Sequence, residues 1–276
     1  MPRRGLVVVV ALLASCSGRG DDANDGSTAA TTDAGATPDP ALAVETDELR
    51  LDDVGFVATL AVPDTEGAQP AVMALGGSEG RQPTGVGRLL AEQGYVALSL
   101  SYFNAPGLPD DLANIPLEYF ETALRWLADR PEVDSDKVFV WGASRGGEAA
   151  LLIAATYPEP CVSDFTPRYY ENHPEAEIPV ERIAGPILLT CGRSDGVWES
   201  CPNSRAVIDR LEREDHAFDH EMLAYPDAGH LVSVPPDSPL EVDELIPEMG
   251  GTTDGNNEAR ADAWEATLDF LAAASR

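Results

Sequence analysis

An apolar run, Val138 to Trp141, leads straight into Gly142-Ala143-Ser144-Arg145-Gly146, and an alanine- and leucine-rich stretch from Glu148 to Tyr157 follows at once. A strand that becomes a helix within so few residues must reverse in a tight turn, and small residues are needed on both sides of the serine for the backbone to make it. Ser144 is then held out at the end of a sheet strand with its hydroxyl exposed. This junction fixes the neighbourhood: a strand buried on both faces before it, a helix packed on the sheet after it.

The rest of the chain repeats the alternation. Leu49, Leu51, Val57, Thr59 and Ala61 read as two opening strands, ended by Pro63 and Asp64. Pro70 to Leu75, Tyr95 to Ser101, Pro186 to Cys191 and Glu221 to Tyr225 read as further strands. Helices are expected over Val86 to Gln93, Leu117 to Arg130, Pro202 to Glu212 and Ala259 to Ala274, the last with Trp264, Leu268 and Leu271 inward. Strands alternating with helices at this spacing predict a mostly parallel sheet covered by helices on both faces. Residues 43–276 form one such domain, with no internal repeat.

The N-terminus is of a different kind. Arg3 and Arg4 precede an apolar run from Leu6 to Ala14, and small residues lead to Cys16. That is the layout of an export signal and not of a fold element, and about 20 residues would be needed to span a bilayer. Leu13-Ala14-Ser15-Cys16 resembles the lipobox of bacterial lipoproteins, which implies cleavage before Cys16, lipidation of that cysteine and an extracytoplasmic, membrane-anchored protein. The alternative is ordinary secretion. Residues 17–42, rich in Gly, Asp, Ala, Thr and Pro, cannot bury enough apolar surface to order themselves and read as a tether.

Charge narrows the partners. With 48 Asp and Glu against 18 Lys and Arg, the net charge is -30, so nucleic acid is repelled and contact with a membrane is left to the lipid anchor. Beyond Cys16, the cysteines Cys161, Cys191 and Cys201 have no histidine at metal-ligand spacing. They read as structural, Cys191 and Cys201 as a possible bridge, and neither a metal nor a cofactor is expected.

A serine hydroxyl needs a general base, and the chain has 4 histidines. His230 follows the last strand in Tyr225-Pro226-Asp227-Ala228-Gly229-His230, where a loop reaches over the serine turn. His216 and His220 fall in a charged segment and His173 in a polar one, so these read as solvated. A third group must hold the imidazole in the right tautomer. Asp195, in Gly192-Arg193-Ser194-Asp195-Gly196 after a strand, takes that place ahead of Asp227. Serine, then aspartate, then histidine is the order of the α/β-hydrolase fold. Acyl transfer also needs donors for the developing oxyanion, expected from the N–H of Arg145 and from the Gly76-Gly77-Ser78 turn at Gly77 or Ser78.

Longer stretches carry a resemblance. Leu75-Gly76-Gly77-Ser78-Glu79-Gly80, Tyr102 to Pro109, Ile115 to Phe120, Trp141 to Glu148, Ile178 to Ile183, Asp195-Gly196-Val197-Trp198 and Ala228-Gly229-His230 follow one another as in the catalytic C-terminal domain of bile acid-CoA:amino acid N-acyltransferases and acyl-CoA thioesterases. Dienelactone-hydrolase-like enzymes are looser relatives. The resemblance implies Ser144, Asp195 and His230 as the triad. The amino-acid-conjugating members use cysteine where this chain has Ser144, which favours hydrolysis.

Two departures mark the chain. A tether stands where the family has an N-terminal β-sandwich, and Pro160 to Glu177 is a short polar stretch, with Val162 and Phe165 its only strand-like residues, where the family has an apolar strand and a substrate cover. The expectation is an exported serine hydrolase of small acyl esters or thioesters, with no cofactor and no implied oligomeric state. The alternatives are an acyl-CoA thioesterase or acyltransferase proper, or a noncatalytic binding lipoprotein on the same scaffold.

Overall fold

The computed structural model describes residues 7–11, 41–157, 178–238 and 241–276. Cys16, the tether as far as residue 40, Cys161, His173, Val162 and Phe165 lie outside the described residues. The strands are β1 (Val7–Ala11), β2 (Val44–Leu49), β3 (Val57–Pro63), β4 (Gln69–Leu75), β5 (Val96–Ser101), β6 (Val133–Ala143), β7 (Ile187–Gly192) and β8 (His220–Tyr225). Between them run α1 (Leu51–Val54), α2 (Thr84–Glu92), α3 (Leu117–Ala128), α4 (Arg145–Thr156) and α5 (Ser200–Arg213), with α6 (Val242–Met249) and α7 (Thr253–Ala274) at the end.

One sheet takes the order β2-β3-β5-β4-β6-β1-β7-β8. β2 and β3, and β3 and β5, pair antiparallel, and every later pair is parallel. Alternate residues of each central strand feed two cores. Met73, Leu75, Val140 and Leu189 lie under α3, α4 and α5, with Leu127, Leu151, Ile153 and Leu211. Val72, Ala74, Phe139, Trp141 and Leu188 lie under α2 and α7, with Val86, Leu90 and Leu271. This is why the strands read as continuous apolar runs: in a parallel sheet covered on both faces no position is left for water.

Several expectations change. Leu51 opens the short helix α1 where a strand was read, and Gly55 at φ +85° ends it. α7 begins at Thr253, six residues early, because the Thr252 side chain accepts from Gly255 N–H at 3.0 Å and caps it. α6 was not foreseen, since Pro247 inside it reads as a breaker. His216 and His220 are half-buried, with ring centroids 5.8 Å apart.

The largest change is at the N-terminus. The apolar run read as no fold element supplies β1, between β6 and β7, with Val8 level with Val140 and Ile187. Four consecutive β-branched valines suit a strand as well as they suit an export signal, so hydropathy alone does not separate the two. Among the described residues, no helix is long and apolar enough to cross a membrane.

Candidate active site

Ser144 sits between the end of β6 and the start of α4 at φ 54°, ψ -124°, a region L residues rarely adopt. The turn is forced by packing. A Cβ on Gly146 would stand 2.4 Å from the carbonyl oxygen of Leu75 and 2.5 Å from that of Gly76, so α4 abuts the end of β4 there only because Gly146 has no side chain.

Ser144 Oγ lies 3.1 Å from His230 Nε2, and His230 Nδ1 lies 3.0 Å from Asp195 Oδ2. Three different strand ends bring these groups together: Ser144 after β6, Asp195 after β7 and His230 after β8, in a 3-10 turn over His230–Ser233. The other oxygen of Asp195 accepts from the N–H groups of Val197 at 2.9 Å and Trp198 at 3.2 Å. Burial alone would raise the pKa of this aspartate. The hydrogen bond and charge of His230 and the two N–H donors outweigh burial and hold it below the ordinary value. Its side chain is only 2% exposed and that of His230 12%, so water competes little for their contact. Asp227, the other candidate, lies exposed, and its carbonyl accepts from Thr252 N–H at 2.9 Å. The geometry therefore gathers Asp195, and not Asp227, beside His230.

Trp198 and Arg145 wall the site, although sequence reading gave neither side chain a role. The indole packs edge-on against the His230 ring at 5.1 Å, and the Arg145 guanidinium stacks over the indole at 5.0 Å while bonding Glu148 at 2.7 Å. The Arg145 backbone N–H falls in the first turn of α4, where helical N–H groups lack an intrahelical acceptor. Gly77 lies against Ser144: a Cβ there would be 2.9 Å from Ser144 Cβ and 3.3 Å from its Oγ. Its N–H donates to Glu79 Oε1 at 3.1 Å, and the same Cβ position is 2.6 Å from Glu79 Oε2. Glu79 thus covers one of the two positions expected to bind an oxyanion, while Ser78, the other, is exposed. Tyr102 donates to the Gly76 carbonyl at 2.6 Å and fixes the same turn from below.

Cys191 and Cys201 form a disulfide across the loop that carries Asp195. Among the described residues, no group of three or more His, Cys, Asp and Glu is placed to hold a metal ion.

A parallel sheet with one reversed strand, β3, next to its edge, helices on both faces, and serine, aspartate and histidine at successive strand ends together define an α/β-hydrolase fold. Solved structures with this fold align over most of the chain. A dienelactone hydrolase-like promiscuous phosphotriesterase from metagenomic libraries aligns at TM-score 0.60 and 20% identity, over 85% of this chain and 99% of that one. A thermophilic esterase from Thermogutta terrifontis aligns at 0.54 and 13%, over 83% and 93%. The family model described as BAAT / acyl-CoA thioester hydrolase C terminal matches residues 115–163 and 160–275, and the chain belongs to that family. Acyl-coenzyme A thioesterase 6 from mouse is 28% identical over 78% of this chain, and acyl-coenzyme A amino acid N-acyltransferase 1 from mouse 29% over 69%. The chain spans 62% and 55% of the length of these two relatives.

Proposed function

We propose that the chain is a serine hydrolase of carboxylic esters or thioesters that works through an acyl-enzyme. The observation that carries the reading is the unbroken chain of contacts from Ser144 Oγ through His230 to Asp195, at 3.1 Å and 3.0 Å. His230 Nε2 takes the Ser144 proton as Oγ attacks the acyl carbon, and Asp195 holds Nδ1–H and stabilises the imidazolium. The oxyanion is met by the N–H of Arg145 and by the Gly77-Ser78 turn. His230 then gives its proton to the departing alcohol or thiol. In the second half, water loses a proton to His230 and attacks the acyl carbon, and Ser144 leaves with that proton.

The expected test is labelling by a fluorophosphonate at Ser144, lost in Ser144→Ala, together with turnover on a panel of esters, thioesters and lactones. Turnover without labelling, or labelling that survives Ser144→Ala, places the nucleophile elsewhere and refutes the assignment. The kinship with proteins named acyl-CoA amino acid N-acyltransferases supports one competing reading, transfer of the acyl group to an amine. Product analysis with added amino acids or alcohols separates it from hydrolysis.

Export and lipidation at Cys16 belong to the same reading, supported by Leu13-Ala14-Ser15-Cys16 after a basic and then apolar start. Cys16→Ser is expected to release the protein from the membrane fraction or block its maturation. A single mature N-terminus downstream of Cys16 shows ordinary secretion instead, and one upstream of Val7 shows that β1 stays with the enzyme.

A further inference from the structure

We propose that Asn256 and Arg260, one turn apart on α7, are positioning residues that hang the His230 segment at the height where its Nε2 meets Ser144. The proposal rests on the hydrolase reading for its kinetic consequence and on contacts alone for its structural one. Asn256 is wholly buried and its amide is fully engaged. Its Oδ1 accepts from Gly229 N–H at 2.9 Å, immediately before His230, while its Nδ2 donates to the carbonyls of Gly250 at 3.0 Å and Thr252 at 2.8 Å. Arg260, only 4% exposed, holds the other end of the segment. Its Nε donates to the Val234 carbonyl at 3.0 Å, and its Nη2 to the carbonyls of Pro235 at 2.7 Å, Pro236 at 3.3 Å and Ser238 at 3.3 Å. Arginine presents several donors in a fixed plane, so one side chain serves a whole turn of carbonyls.

The same mount reaches the acid. Gly250 bridges Asp195 and Gly251 bridges Ala228 in antiparallel fashion, and Gly196 N–H donates to the Met249 carbonyl at 3.1 Å. Both glycines have left-handed φ, +77° and +76°. A Cβ on Gly250 would lie 2.1 Å from the Ser194 carbonyl oxygen, and one on Gly251 2.4 Å from Gly229 N. The acid loop, the base loop and the Gly250-Gly251 turn are therefore backbone against backbone, with Asn256 tying the turn to the base loop. Removing its amide leaves the buried Gly229 N–H and two carbonyls without that partner, and the loop relaxes toward other acceptors. A reacting group displaced by about 1 Å costs roughly 100-fold in rate, so a small relaxation reaches the chemistry although Asn256 touches no reacting atom.

The test compares Asn256→Ala, Asn256→Asp and Arg260→Lys in the full chain. Hydrolysis of p-nitrophenyl acetate, thermal melting and the low-field ring proton of His230 on Nδ1 are measured, the proton being assigned by its loss in His230→Gln. For Asn256→Ala the expectation is a fall in kcat of about 10- to 100-fold with KM within about twofold, and a His230 proton that shifts or broadens. Asn256→Asp keeps the acceptor for Gly229 N–H but turns a second oxygen onto the Gly250 and Thr252 carbonyls in a wholly buried place, so it is expected to lose kcat as Asn256→Ala does, while Arg260→Lys, which keeps a donor, loses less. If the variants melt earlier but the folded protein keeps wild-type kcat and an unmoved His230 proton, the role is stability alone and the proposal is overturned. If Asn256→Ala does not fold, Asn256→Asp and Arg260→Lys decide by the same criteria. Should wild type itself fail to turn over ester or label at Ser144, the hydrolase reading falls, and the His230 proton still tests the mount.

Discussion

The Cys191–Cys201 disulfide closes a ring with a sequence separation of 10, and Asp195 and Trp198 lie inside it. Cys191 ends among the last residues of β7 and Cys201 stands in the first turn of α5. Both are buried in a small cluster with Ala228, Val232, Ala259 and Ala263, the floor beneath the acid and base loops. Replacing both by alanine removes the link and leaves small apolar residues in place. In the loop-closure treatment, a ring of about this size restricts the unfolded chain by about 3 kcal/mol at 25 °C. For a domain of 150 to 250 residues, each kcal/mol moves Tm by roughly 2–4 °C. The expected fall is therefore about 6–12 °C for Cys191→Ala/Cys201→Ala in a scanning-calorimetry or fluorescence melt. Wild type melted in a reductant should drop by a similar amount. Esterase turnover well below the new midpoint should fall far less than in Asp195→Asn, because Gly196 and Asp195 remain pinned to Met249 and Gly250. A melt that moves by less than about 2 °C in both experiments refutes the argument from ring closure. Turnover lost as completely as in Asp195→Asn refutes the claim that the loop is held by its backbone neighbours.

Three further outcomes are expected. Asp195→Asn should lower kcat by as much as about 10^4-fold, the cost of a wrong tautomer in other triads, while Asp227→Asn stays within a few-fold of wild type; the reverse ranking moves the acid to Asp227. Because the folded pKa of Asp195 is depressed, its stabilising contribution is complete above the unfolded value of about 3.9 and is lost as pH falls through the folded value. Chemical denaturation should then show the stability gap between wild type and Asp195→Asn closing below about pH 4, and a gap that widens there contradicts the pairing. Glu79→Gln keeps an acceptor for Gly77 N–H but removes a negative charge beside the developing oxyanion, so kcat should rise severalfold, and a fall would give Glu79 a productive part.

The triad candidates were readable because each hangs from an apolar strand that stands out by its hydropathy, and because the serine turn dictates its own small residues. Their order along the chain did the rest. The mount on α7 was hidden for the opposite reason. Its first two turns carry Thr253, Asp254, Gly255, Asn256 and Asn257, poor helix formers whose contribution lies in hydrogen bonds to distant backbone. Thr252, which caps the helix, adds no apolar periodicity, and the sequence reading places the start at Ala259. Glu79 was legible as part of a motif but not as the acceptor of Gly77 N–H, since a side chain turning back onto its own loop leaves no periodic trace. The bridge between Cys191 and Cys201 was visible only as a possibility, because three cysteines downstream of Cys16 allow more than one pairing. The valine run reads either way, because a parallel strand set between two others and the apolar part of an export signal ask the same thing of a side chain.

That strand also sets a distance. β6 and β7 do not pair with each other: each pairs with β1, so β1 is the spacer between the half of the site that carries Ser144 and the half that carries Asp195 and His230. Neighbouring strands stand about 4.8 Å apart. A sheet that lost β1 and closed up would bring the two halves together by roughly that width, and one that stayed open would leave two rows of backbone groups unpaired. Closing up breaks the 3.1 Å contact of His230 with Ser144, because a hydrogen bond fails with a shift of well under 1 Å, while staying open keeps the spacing at the cost of those unpaired groups. The site is gauged by a segment that supplies none of its chemistry. A chain cut before Cys16 must fill that width or hold it open to keep Ser144 and His230 in reach, and the rate of Ser144 labelling in such a chain measures whether it does.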